Sequence, residues 1–201
     1  MKIGFDLDGT IIDSAQSIRD ALAEAIWLET KQRLSLESLL PGLALAQMLG
    51  DLGFQEEESD AISSAFKRIY DSGLCFTATP YEGVEEVLQA LSAKHELYVV
   101  TNKRQVSAER ILEYLGLAGN FILIRGQAED VNHEKWRLLS GVKQDLGFRY
   151  GLYIGDTRDD VVAAEHAELT PIFCRWGYGK SLDGHWADCI QRPSDILDLV
   201  D

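Results

Sequence analysis

The chain has 201 residues, 46% hydrophobic and 26% charged, enough to bury one good core or a core carrying a sizeable insertion. Its formal net charge of −14 argues against nucleic acid or an anionic membrane as partner and favours a metal or a cationic ligand. Cys75, Cys174 and Cys189 are widely spaced and outside any CxxC pattern, which argues against a disulfide framework or zinc site and makes a reducing cytoplasm the expected location.

The opening run reads as a buried strand, Lys2 to Leu7. Aspartate interrupts it at once, a pattern of neither a signal peptide nor a transmembrane span. It ends in DLDGT, which sets Asp6 and Asp8 one residue apart. Like charges so close repel, and desolvation adds to the cost, so something must hold them there. From Ser14 to about Thr79 there is no convincing strand. Ile18, Leu22, Ala25 and Ile26 form one amphipathic stripe and Ile62, Phe66, Ile69 and Tyr70 another, with a shorter helix expected over Leu43 to Leu49. This block is expected to be an all-helical cap domain, 14–79, inserted over the carboxyl end of a core formed by 1–13 and 80–201. Asp13 and Ser14 are expected to cap its first helix.

After Pro80 the pattern alternates. Val84, Val87, Leu88 and Leu91 mark a helix, Glu96 to Thr101 a strand closing on Thr101-Asn102, and Ala108, Ile111, Leu112 and Leu115 a second helix ended by Gly116. A strand over Phe121 to Arg125 precedes a helix over Lys135 to Leu146. A further strand, Leu152 to Gly155, runs into Asp156-Thr157-Arg158-Asp159-Asp160, and Pro171 to Arg175 is the fifth. The alternation predicts an α/β fold, a doubly wound (Rossmann-like) parallel sheet of about five strands. Trp176 and Tyr178 are expected to pack the loop after the fifth strand, and His133 and His166 to be structural or surface residues.

In such a sheet, ligands bind outside the carboxyl ends of the strands. Asp6, Asp8, Thr101, Asn102, Lys135, Asp156 and Asp160 would then converge on one rim. Mg²⁺ takes oxygen ligands and is usually held by one or two carboxylates plus substrate phosphate and water. Asp6 and Asp156 can hold it, and the cation then offsets the carboxylate repulsion while Lys135 adds a second positive charge. The Thr101 hydroxyl and Asn102 amide suit phosphate oxygens, and a carboxylate can act as nucleophile through an aspartyl-phosphate. Each feature also has a plainer reading. DxD is commonly a solvated turn, Thr101-Asn102 can cap a helix, Lys135 can be a solvated helix start, and Asp159 and Asp160 can complement a helix N-terminus.

Taken together, DLDGT, TN, a lysine before the fourth strand and GDTRDD resemble the four motifs of the haloacid dehalogenase (HAD) superfamily. The resemblance covers nearly the whole chain, including PYEGVEEVLQAL and CRWGYG, and the chain is similar in particular to the phosphoglycolate-phosphatase-like branch with a small helical cap. It implies a Mg²⁺-dependent phosphatase acting on a small phosphomonoester, phosphoglycolate among the candidates. It further implies Asp6 as nucleophile, Asp8 as general acid and then base, and Asp156 binding Mg²⁺ with Asp6 and the backbone carbonyl of Asp8. Asp160 would be a supporting carboxylate. The chain departs from the pattern in three places. The motif lysine lacks a following proline, so Lys135 is chosen by spacing with Lys143 as second candidate. Ala167-Glu168 replaces a common Ala-Gly pair, and PGLALAQML carries no basic residue where relatives shape substrate contacts. A sugar phosphomutase of the same superfamily, or a non-catalytic phosphoacceptor or binding protein on the same fold, is the alternative. A dehalogenase would not be expected to keep Asp8, because halide leaves without a proton.

Overall fold

The computed structural model describes residues 1–39, 41, 43–128, 133–179, 182 and 187–200. Six parallel strands form the central sheet: β1 (Lys2–Phe5), β4 (Glu96–Arg104), β5 (Phe121–Gln127), β6 (Leu152–Gly155), β7 (Thr170–Cys174) and β8 (Asp188–Ile190), in the order β5-β4-β1-β6-β7-β8. Strand β1 is flanked on both sides, Phe5 lying opposite Val99 of β4 and Ile154 of β6. The strand order reverses between β1 and β6, and that switch point is where a crevice opens beyond the carboxyl ends.

Helices cover both faces. On β4, Leu97 and Val99 join a core with Ile3, Phe5 and the buried faces of α4 (Val84–Ser92) and α5 (Gln105–Tyr114). Tyr98 and Val100 point the other way, into a second core with Leu139 and Val142 of α6 (Lys135–Asp145) and Ala163 and Ala164 of α7 (Arg158–His166). The period-2 alternation of a strand thus supplies both layers. The last helix, α8 (Asp195–Val200), sends Ile196 into the first core.

The sheet has one strand more than the five expected. Strand β8 is three residues long with only Ile190 buried, too short and too exposed to leave a hydrophobic pattern. A second departure is a two-stranded antiparallel ribbon of β2 (Ile12–Asp13) and β3 (Thr79–Pro80), pairing Ile12 with Pro80 and Asp13 with Thr79. Two-residue strands carry no periodicity to read. Between β2 and β3 lie α1 (Ala15–Thr30), α2 (Leu45–Asp51), α3 (Glu56–Asp71) and a 3₁₀ turn at Leu74–Thr77. Ile18, Leu22, Ala25 and Ile26 of α1 and Ile62 of α3 are buried in one cluster that runs on into the sheet core. Burial of each of these Ile and Leu side chains is worth about 1.5–3 kcal/mol. No helix among the described residues is long and apolar enough to cross a membrane, and Cys75, Cys174 and Cys189 are all free.

Candidate active site

Strand β1 ends at Phe5, two residues earlier than expected, because the chain turns over Leu7. The Leu7 carbonyl accepts from the amides of Thr10, Ile11 and Ile12, and Gly9 at φ +87° makes the bend. That turn lifts Asp6 and Asp8 onto the rim beside the ends of β4 and β6. Asp6, Asp8, Thr101, Lys135, Asp156 and Asp160 are all buried. The solvated-turn reading of DLDGT therefore fails.

Of Lys135 and Lys143, Lys135 is the one at the rim. Its Nζ donates to Asp6 Oδ1 at 2.7 Å and to Asp160 Oδ1 at 2.5 Å, whereas Lys143 lies further along α6 and donates to the Ala167 carbonyl. Asp160 bridges Lys135 and the start of α7. One oxygen meets Lys135, and the other accepts from the Thr157 amide at 3.0 Å and the Thr157 hydroxyl at 2.6 Å, completing a capping box at the start of α7. Thr101 and Asn102 are not helix caps, since β4 continues through Arg104 and α5 begins at Gln105. Thr101 Oγ1 accepts from the Lys103 amide at 3.1 Å, and Asn102 Oδ1 receives Gln127 Nε2 at 3.4 Å.

Asp156 sits under the loop that follows β7. Its Oδ2 accepts from the Tyr178 amide at 2.7 Å and its Oδ1 from the Thr10 hydroxyl at 3.3 Å. Two glycines leave room for it: a Cβ on Gly9 or Gly177 would lie 2.3 Å from an Asp156 side-chain atom. Gly9→Ala therefore combines a positive φ with a direct clash, and should cost about 1–3 kcal/mol from the backbone alone. A thermal melt of that variant should fall by several degrees, about 2–4 °C per kcal/mol, and activity should drop with it.

Asp6, Asp156 and Asp160 bring ligand oxygens within 4.8 Å of one another, all buried. Three carboxylates against the single ammonium of Lys135 leave an excess of negative charge. Burial pushes the Asp6 carboxyl well above its usual range despite Lys135, with Asp160 and Asp156 adding to the rise. Burial and then Asp160 push Asp156 up to about 7, partly opposed by the Tyr178 amide. Burial alone would lower Lys135, but Asp160 and Asp6 outweigh it and hold the ammonium charged. Asp160 is already committed to Lys135 and Thr157, so Asp6 and Asp156 are the pair whose oxygen donors fit a hard divalent cation.

Asp8 lies in separate surroundings. Its Oδ1 accepts from Ser14 Oγ at 2.5 Å and pairs with Lys103 Nζ at 3.1 Å. Ser14 stands at the N-cap position of α1 without making the side-chain cap expected of it, because its hydroxyl is turned to Asp8; Asp13 Oδ1 accepts from the Ala15 amide instead. Tyr178 does more than pack its loop, since its hydroxyl accepts from the Ser14 amide at 2.7 Å. No pattern in the sequence singles out Lys103, although it follows Thr101-Asn102 directly and stands at i+2 from Thr101 on the same strand.

Beside Asp8 is a cavity of about 130 Å³. Leu43, Leu45, Met48, Phe66 and Tyr70 wall it from the segment between β2 and β3, and Asn102, Lys103 and Arg104 from β4. Lys67 of α3 also lines it, a basic residue on the helix that follows PGLALAQML.

A model of haloacid dehalogenase-like hydrolases matches residues 3–173. The chain belongs to this family. Among curated proteins, the HAD-like chain is 31% identical to a phosphoglycolate phosphatase from Aquifex aeolicus, over 98% of this chain and 95% of that protein. It is 28% identical to one from Photobacterium profundum, over 98% and 94%. Among solved structures it resembles a predicted phosphatase from Clostridium acetobutylicum with a TM-score of 0.92 at 25% identity, covering 99% of this chain and 97% of that one. A haloacid dehalogenase-like family protein from Streptococcus pneumoniae shares the fold at a TM-score of 0.91 and 21% identity, over 100% and 98%. The doubly wound sheet expected from the sequence is the fold of these HAD hydrolases.

Proposed function

We propose that this HAD-like enzyme is a Mg²⁺-dependent phosphatase that hydrolyses a small phosphomonoester through a phosphorylated Asp6. The observation that carries the reading is the different treatment of two neighbouring carboxylates: Asp6 faces Lys135 and Asp156, while Asp8 is held apart by Ser14 and Lys103. Two carboxylates in unlike settings are suited to unlike roles.

An Asp6 carboxylate oxygen attacks phosphorus, the bond to the ester oxygen breaks, and Asp8 gives that oxygen its proton. In the second step Asp8 takes a proton from water as the water oxygen attacks phosphorus and frees Asp6. Lys135, Thr101 and Asn102 bind the phosphoryl oxygens. Asp6, Asp156 and the backbone carbonyl of Asp8 would hold Mg²⁺, which when bound supplies the positive charge that phosphoryl transfer requires. The helical segment 14–79 serves as a cap that closes over the rim and excludes water.

The cavity beside Asp8 supports a small leaving group. A comparable engineered cavity of about 150 Å³ accommodates benzene, so a short alcohol is enclosed within 130 Å³ whereas a hexose would have to extend out of the cavity's open mouth. The names of the relatives make phosphoglycolate the first substrate to assay. Phosphate release with Mg²⁺ across a panel of phosphorylated metabolites should give kcat/KM at least about tenfold higher for phosphoglycolate-sized esters than for hexose 6-phosphates. Preference for the hexose esters would reverse the size argument, and no phosphate release from any ester would end the phosphatase reading.

A further inference from the structure

Both contacts to Asp8 land on one oxygen. Ser14 Oγ and Lys103 Nζ meet Oδ1, and Oδ2 has no hydrogen-bond partner among the described residues. A lysine ammonium carries three donors and no acceptor. An oxygen facing it cannot also present a proton in that direction, so a proton held by Asp8 must sit on Oδ2. Asp8 itself lines the cavity beside the rim, where a leaving group would lie.

Lys103 is in turn fixed from the helical segment. Its Nζ donates to Tyr70 Oη of α3 at 3.0 Å and stands 4.6 Å from the centre of the Tyr70 ring. Tyr70 is buried and stacked on Phe66 of the same helix, with ring centres 5.3 Å apart. The Lys103 side chain is only 8% exposed, so its ammonium depends on these protein partners rather than on bulk water. Its neighbour Arg104 pairs with Asp71, the next residue of α3, which seats the same helix against the end of β4.

We infer that Lys103 is a positioning residue that dictates which oxygen of Asp8 handles the proton, and that Tyr70 locks Lys103 in place when α3 is seated on the rim. Closure of the helical segment and readiness of the proton donor are thereby one event. Without Tyr70 the ammonium has lost one of its two anchors and can leave Oδ1. The inference rests on the reading of Asp8 as acid and base and of 14–79 as a cap.

The test compares ethyl phosphate with p-nitrophenyl phosphate. Ethoxide needs a proton to leave and nitrophenolate does not, and kcat/KM reports steps only through the transfer to Asp6. In Lys103→Met, kcat/KM for ethyl phosphate should fall about 100-fold while that for the nitrophenyl ester stays within about threefold. The kcat for the nitrophenyl ester should nevertheless drop, with a burst of nitrophenolate equal to the enzyme concentration, because the second step still needs Asp8 as base. Tyr70→Phe keeps the stacked ring and removes only the hydroxyl, and should show the same split at about tenfold; Lys103→Arg should restore part of the loss. Equal losses in kcat/KM on both esters would overturn the inference, since Lys103 would then be serving phosphate binding or folding. A wild-type enzyme that releases phosphate from neither ester nor any member of the metabolite panel would instead overturn the phosphatase reading itself, and this inference with it.

Discussion

Asp6→Asn is expected to remove turnover almost completely, by at least about 10⁴-fold, because under the proposed mechanism the amide cannot form the phosphoryl bond on which both steps depend. The change is nearly isosteric and should leave the fold intact. Lys135 retains Asp160 as partner at 2.5 Å, and one of the three crowded carboxylates loses its charge. The melting temperature should therefore hold or rise while activity disappears. Acid quench of the wild-type enzyme during turnover, followed by peptide mass spectrometry, should find phosphate on Asp6, and the Asn variant should carry none. Asp8→Asn gives a different signature: Asp6 can still attack an activated ester, so phosphoenzyme should form and then persist. Phosphate found on Asp8 with Asp6 unmodified would exchange the two roles.

The difference between these two aspartates was visible in the sequence only as position. DLDGT after an apolar run locates both, and strand-end logic brings Thr101, Asn102, Lys135, Asp156 and Asp160 to the same rim. Spacing of this kind is legible because each residue stands at a fixed offset from a hydrophobic run. What separates Asp6 from Asp8 is the company each keeps, and that company comes from distant places: Lys135 across 129 residues for Asp6, and Lys103 for Asp8. Ser14 shows the opposite failure. Its residue type and its place before a helix are those of a cap, and tertiary context overrode the local preference by offering Asp8 as the acceptor. Strand β8 and the β2–β3 ribbon escaped for a different reason, since elements of two or three residues hold too few side chains to display a period.

Asp156→Asn should abolish Mg²⁺ dependence and activity together, and should make the metal-free protein more stable at neutral pH. Burial and Asp160 raise the Asp156 carboxyl from an ordinary 3.8 to about 7. Between those values the folded chain holds a proton that the unfolded chain has released, so stability falls as pH rises through that window. Asparagine has no proton to lose. At pH 8 the metal-free variant should melt several degrees above the metal-free wild type, and the gap should close as the pH approaches 4. Mg²⁺ should reverse the ranking, because it binds only the folded wild type. At a hundredfold excess over Kd it adds about 2.7 kcal/mol, or about 5–10 °C in a chain of this size, and it should leave the variant's melt unmoved. EDTA should silence the wild type and Mg²⁺ restore it, with Zn²⁺ a poor substitute at an all-oxygen site. Full turnover in chelator, or an equal rise of both melting curves with Mg²⁺, would remove Asp156 from the ligand set. The carboxylate crowding would then have to be relieved by Lys135 alone.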